Sequence, residues 1–149
     1  VWFSDLAHVK TNDWATKLAE TILRQPPESE VGFYGVKRRE VVQGRALEWF
    51  RNAPWFRGRP FRNKRGAPSP NGNEIHYTLG HFWAASVAAL RGAGVPDTRL
   101  ETAGYHVCLG EQLYQAGWNT KMFDGDSRMI GVATPRAQNR TVAPWYQNG

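Results

Sequence analysis

The chain has 149 residues, with 19 Lys and Arg against 13 Asp and Glu, for a formal net charge of +6. A hydrophobic content of 41% and seven Trp supply enough apolar surface for one core, which excludes an intrinsically disordered chain. A single Cys excludes an intramolecular disulfide and fits a reducing compartment, and the longest weakly charged run, Ile75 to Leu90, falls short of the ~20 apolar residues of a membrane span.

The predicted organisation is a lead-in arm over residues 1–12, a binding domain over 13–133 and a C-terminal tail over 134–149. The chain opens Val1-Trp2-Phe3 without Met, so a natural N-terminal segment is expected to precede it. Asn12 or Asp13 can cap a first helix, whose apolar residues fall at 14, 15, 18, 19, 22 and 23. Glu20 and Arg24 form an i,i+4 pair on its other side, and Pro26-Pro27 ends it. Val31 to Tyr34 and Arg39 to Gln43 read as two short strands, the second carrying the β-branched pair Val41-Val42. Gly44 marks a tight turn. Arg45 to Asn52 then reads as a helix with Leu47 and Phe50 inward, stopped by Pro54.

From Arg57 to Asn73 the chain is rich in Gly, Pro, Asn and charge, which predicts an exposed, mobile basic loop. A second long helix is expected from Glu74 to Leu90, with Ile75, Leu79, Phe82, Trp83, Ser86, Val87 and Leu90 on one stripe, ended by Gly92, Gly94 and Pro96. Residues 98–118 carry mixed signals. Thr98 to Glu101 has capping-box spacing, whereas Tyr105, Val107 and Leu109 alternate as in a strand. Met122 to Val132 resembles a hairpin turning at Asp124-Gly125. The expected class is α+β: a small winged-helix-like domain of about three helices, short strands and a C-terminal β-hairpin.

Charge is concentrated in one segment. Between Lys37 and Arg65 stand ten Lys and Arg against Glu40 and Glu48, a local +8, so the rest of the chain sums to −2. A basic segment embedded in folded sequence is a surface for an acidic partner, and Trp49, Trp55, Phe56 and Phe61 are interleaved with its arginines. Nucleic acid, an anionic membrane surface and an acidic protein are all compatible with that sign. Lys37, Arg38, Arg39 and Arg45 are the first candidate contacts. Arg57, Arg59, Arg62, Lys64 and Arg65 form a second, more flexible set.

Catalytic and metal chemistry find little support. On a helix, His76 and His81 would stand roughly 140° apart, too far for a shared metal. His106 and Cys108 would face one way on a strand, but no third group orients them as a nucleophilic dyad. Asp124-Gly125-Asp126-Ser127 lacks the ligand spacing of a calcium loop. No phosphate-binding glycine loop, nucleophile elbow or Cys-x-x-Cys pair occurs. The expectation is a non-enzymatic protein with no cofactor and no metal.

One set of residues resembles a known family. Leu23-Arg24 close the first helix, and thirteen residues follow. Then come Arg38-Arg39-Glu40-Val41-Val42 and Gly44-Arg45-Ala46-Leu47, with Trp55 after the helix. Further on stand Ala88-Ala89-Leu90-Arg91-Gly92-Ala93-Gly94-Val95, and then Phe123-Asp124-Gly125 with Val132 and Pro135. In that order, from about Trp14 to Pro135, the chain resembles the cytosolic N-terminal domain of the Sec sixty-two family of endoplasmic-reticulum translocation proteins. It departs from the family pattern in Val41-Val42, which replace an aromatic pair, and in the long 57–73 segment.

The resemblance implies a docking domain that aids post-translational protein transport into the endoplasmic reticulum. Its partners would be an acidic segment of a J-domain membrane protein and the Sec-type protein-conducting channel. The location would be the cytosolic face of that membrane, with a span expected beyond Gly149. The alternative is a basic accessory subunit of a ribonucleoprotein, such as an organellar ribosome in the mitochondrial matrix, contacting RNA phosphate.

Overall fold

Two long adjacent strands carry the architecture. The computed structural model describes residues 1–3, 7–26, 30–94, 105–123 and 130–132. In chain order the elements are β1 (Trp2–Phe3), β2 (Ala7–Val9), α1 (Trp14–Leu23), β3 (Val31–Val41), α2 (Gly44–Arg51), β4 (Glu74–Ala85), α3 (Val87–Ala93), α4 (Tyr105–Gln115), β5 (Asn119–Met122) and β6 (Ile130–Val132). One sheet has the order β1-β4-β3-β5; β2 and β6 form a separate pair. The class is α+β.

Adjacent residues of β3 face opposite sides of the sheet, and the core divides accordingly. Phe33 packs with Ala89 of α3 and Leu113 of α4. Its neighbour Tyr34 packs with Leu18 of α1, Phe82 and Phe123. A third cluster joins Phe50 of α2, Phe61, Ile75 of β4, and Val107 and Cys108 of α4. Helix α4 lies unusually close to β4 because position 110 is Gly: a Cβ there would stand 2.5 Å from the His76 carbonyl oxygen and 2.8 Å from Tyr77 Cα.

Helix α1 matches its expected span, with Leu18 buried and Glu20 paired to both Lys17 and Arg24. Helix α2 likewise turns in at Gly44, which has a φ of 52°, and buries Phe50. The two short strands expected over 31–43 are one continuous strand. The first nine residues, read as part of an arm, contribute two strands, Trp2 pairing with Trp83 and Ala7 with Val132.

Two expectations are corrected. Glu74 to Ala85 is a strand, so the winged-helix element order is broken there and only α3 remains of the long helix. Glu74, Ile75, His76 and Thr78 are all buried, so both faces of β4 are covered, and its apolar residues also satisfy helical spacing. Second, β5 and β6 do not form a hairpin: β5 pairs in parallel with β3, and β6 pairs with β2. The Asp124-Gly125 turn lies outside the described residues, as do Thr98 to Glu101 and the tail from 134. Residues 105–115, left open between strand and helix by their mixed signals, are helical.

Candidate functional site

Strand β3 changes character at its midpoint. Gly32 to Gly35 are buried, whereas Arg38 to Val41 are exposed. The change coincides with a register shift against β4: Gly35 pairs with Trp83, but Lys37 pairs with Thr78. Beyond it, Lys37, Arg39 and Val41 share a face with Thr78, His76 and Glu74, their cross-strand partners. Arg38 and Glu40 share the other face with Tyr77 and Ile75, against which α4 packs.

An open cleft of about 370 Å³ lies here, lined by Lys37, Arg38, Arg39, His76 and Met122. The Lys37 ammonium is half-buried and forms no hydrogen bond or ion pair among the described residues. Burial lowers its pKa, the charges of Arg62 and Lys121 lower it further, and Glu74 opposes them in part. Arg39 Nη1 donates to the Lys64 carbonyl at 2.8 Å and lies 3.5 Å from Glu74 Oε2. Glu74 Oε1 is 2.7 Å from His76 Nε2.

That last contact has the geometry of an ion pair, but burial lowers the His76 pKa against the pull of the Glu74 hydrogen bond. Arg62 and Lys37 add to the depression. The imidazole is therefore neutral and donates Nε2–H to the carboxylate. The buried Glu74 carboxylate, beside the cleft, is thus occupied by His76 and Arg39. Among the described residues, no carboxylate contacts Lys37, Arg38 or Lys121.

The nine predicted contacts separate into groups. Lys37, Arg38 and Arg39 come together in the cleft. Arg45 is exposed on the first turn of α2 and does not line it. Lys64 and Arg65 are exposed in a turn closed by Asn63 Oδ1, which accepts from Arg65 N at 2.8 Å and Ala67 N at 3.1 Å.

The remaining three serve the fold. Arg57 Nη2 donates to Gly92 O at 2.8 Å, at the end of α3. Arg59 donates to Tyr114 O at 2.9 Å and lies over the Tyr114 ring at 4.2 Å. Arg62 is 3% exposed and sits 3.5 Å from the same ring centroid. The expected free loop is therefore anchored: Phe61 is in the core, Arg62 bridges to Glu74, and Gln115 holds the backbone of Arg57 and Arg59. Much of the segment is exposed as expected, but several of its polar side chains are bonded to main chain.

Beside Arg62 lies Glu111, which has no exposed surface and accepts from Gln115 Nε2 at 2.8 Å. Burial pushes its pKa up to about 7, outweighing the hydrogen bond from Gln115 and the charges of Arg62 and Arg59. His106 and Cys108 stand two apart on α4, a spacing that does not bring helical side chains together.

Sequence reading missed Glu74, His76, Lys121 and Met122 as members of the site. The alternation Glu74, His76, Thr78 was the available signal, hidden because the segment also fits a helical stripe. Among the described residues no helix is long and apolar enough to cross a membrane. Comparison with family models, with curated proteins and with solved structures finds no match to this chain.

Proposed function

We propose that the protein is a non-enzymatic docking module that binds an acidic segment of a partner protein at the β3 cleft. The observation that carries this reading is Lys37: a half-buried ammonium without a contacting counter-charge among the described residues, pressed by Arg62 and Lys121. A carboxylate placed there relieves that repulsion, and Arg39 on the same face and Arg38 on the other add planar donors suited to further carboxylates. In the setting implied by the Sec sixty-two resemblance, the partner is the acidic segment of a J-domain membrane protein. The module then serves post-translational transport at the cytosolic face of the endoplasmic reticulum, beside the Sec-type channel. The family assignment and this location are proposals that rest on the residues quoted for the resemblance.

The test is a titration of the 149-residue chain with a glutamate-rich peptide and with single-stranded RNA of unrelated sequence, each over a salt series. The expected result is tighter binding of the peptide, weakened about tenfold or more by Lys37→Met or Arg38→Glu. Equal or tighter RNA binding with a steep dependence on salt would instead assign the arginines to phosphate and overturn the proposal.

A further inference from the structure

We infer that the acidic partner segment binds as an added β-strand along the outer edge of β3 from Lys37 to Val41. This rests on the docking reading above and gives that contact a geometry.

The edge is open. Strand β5 accompanies β3 only as far as the Gly35–Met122 pair, and Phe123 N donates to Gly35 O at 3.1 Å as the last bond between them. Among the described residues, strand β3 runs on to Val41 paired with β4 alone. Hydrogen-bonded and non-hydrogen-bonded pairs alternate in an antiparallel ladder. Val42 N donates to Asn73 O at 2.9 Å, so Val42, Glu40 and Arg38 direct their main-chain groups to β4. Lys37, Arg39 and Val41 therefore direct theirs to the opposite edge, where no described residue pairs with them. Gly35 O, bonded to Phe123, points to the same edge and confirms the phase.

The decoration of the edge selects its occupant. Val41 is 53% and Met122 49% exposed, so an exposed apolar side chain stands at each end of that row of main-chain groups. Lys37, Arg38 and Arg39 repel the same strand of a second copy, as edge lysines do in sheets that avoid self-pairing. The same charges attract a strand carrying carboxylates. From Lys37 to Val41 the edge spans roughly 13 Å, room for a five-residue segment. Alternate guest side chains meet Lys37, Arg39 and Val41 in turn, which calls for acid, acid and apolar residue at every second position.

The probe is acetyl-Val-Thr-Glu-Thr-Glu-Thr-Val-amide, whose pattern reads the same in either strand direction. Amide hydrogen exchange of the 149-residue chain is followed with and without the peptide. Binding is also measured for a peptide with two adjacent central amides N-methylated, which blocks both edges of an extended strand. The expected result is about tenfold or greater slowing of exchange at Lys37, Arg39 and Val41, and about tenfold or greater loss of affinity on N-methylation. Binding that survives N-methylation, with those three amides unchanged, overturns strand addition and leaves the docking reading intact. No binding of either peptide overturns both. Protection of the same amides that rises with protein concentration alone assigns the edge to a second copy and overturns the inference.

Discussion

Glu111 is a carboxyl group without exposed surface, beside a buried guanidinium, and its two neighbouring cations do not offset the loss of water. Its pKa rises from an ordinary 4.5 to about 7 in the folded chain, so the folded state holds the proton more firmly than the unfolded one. The contribution to stability is therefore fully present below about 4.5 and is lost as pH rises to about 7, a change on the order of 3 kcal/mol. Urea unfolding of the wild type and of Glu111→Gln from pH 4 to pH 8 should give curves that converge in acid and separate above pH 5. Parallel curves would show that the carboxyl ionises as freely folded as unfolded. Sequence alone gave no hint of this group. Glu111 stands in a polar stretch of α4, and its burial depends on Arg59 and Arg62 arriving from a segment some fifty residues earlier.

At the level of elements, the α4–β4 contact shows what one missing methyl permits. In Gly110→Ala the new Cβ would meet the backbone of His76 and Tyr77, which cannot rotate away. Alanine favours a helix by about 1 kcal/mol, yet overpacking against backbone should outweigh that gain and leave a net loss of about 1–3 kcal/mol in unfolding experiments. A stabilised Gly110→Ala would mean that α4 rides higher on the sheet than described. Elements with one covered face were legible: α1 and α2 bury one stripe each, and their period survives in the sequence. Strand β4 was not, because both its faces are covered and Ile75, Leu79, Phe82 and Ser86 happen to satisfy helical spacing as well. The basic half of β3 was legible by charge. Its position at a sheet edge was not, since the length of β5 decides that.

Across the whole molecule, positive charge has two employments. Arg57, Arg59 and Arg62 bind carbonyls and an aromatic ring of the fold itself, while Lys37, Arg38, Lys64 and Arg65 have no described carboxylate in contact. Arg57→Ala and Arg59→Ala should lower the unfolding temperature with affinity for the acidic peptide changed less than about twofold, whereas Arg38→Ala should do the reverse. The double change Lys64→Ala, Arg65→Ala should slow association and flatten its salt dependence with little effect on dissociation. If all five lowered affinity alike, the division would be wrong. The sole thiol lies at the junction of these parts: Cys108 is 2% exposed and is wedged among Val42, Phe50, Phe61, Ile75 and Val107. A disulfide-exchange reagent can reach its sulfur only after α4 has lifted from the sheet. At reagent concentrations where labelling outpaces reclosing, the labelling rate of the native chain therefore clocks that opening, with no engineered reporter.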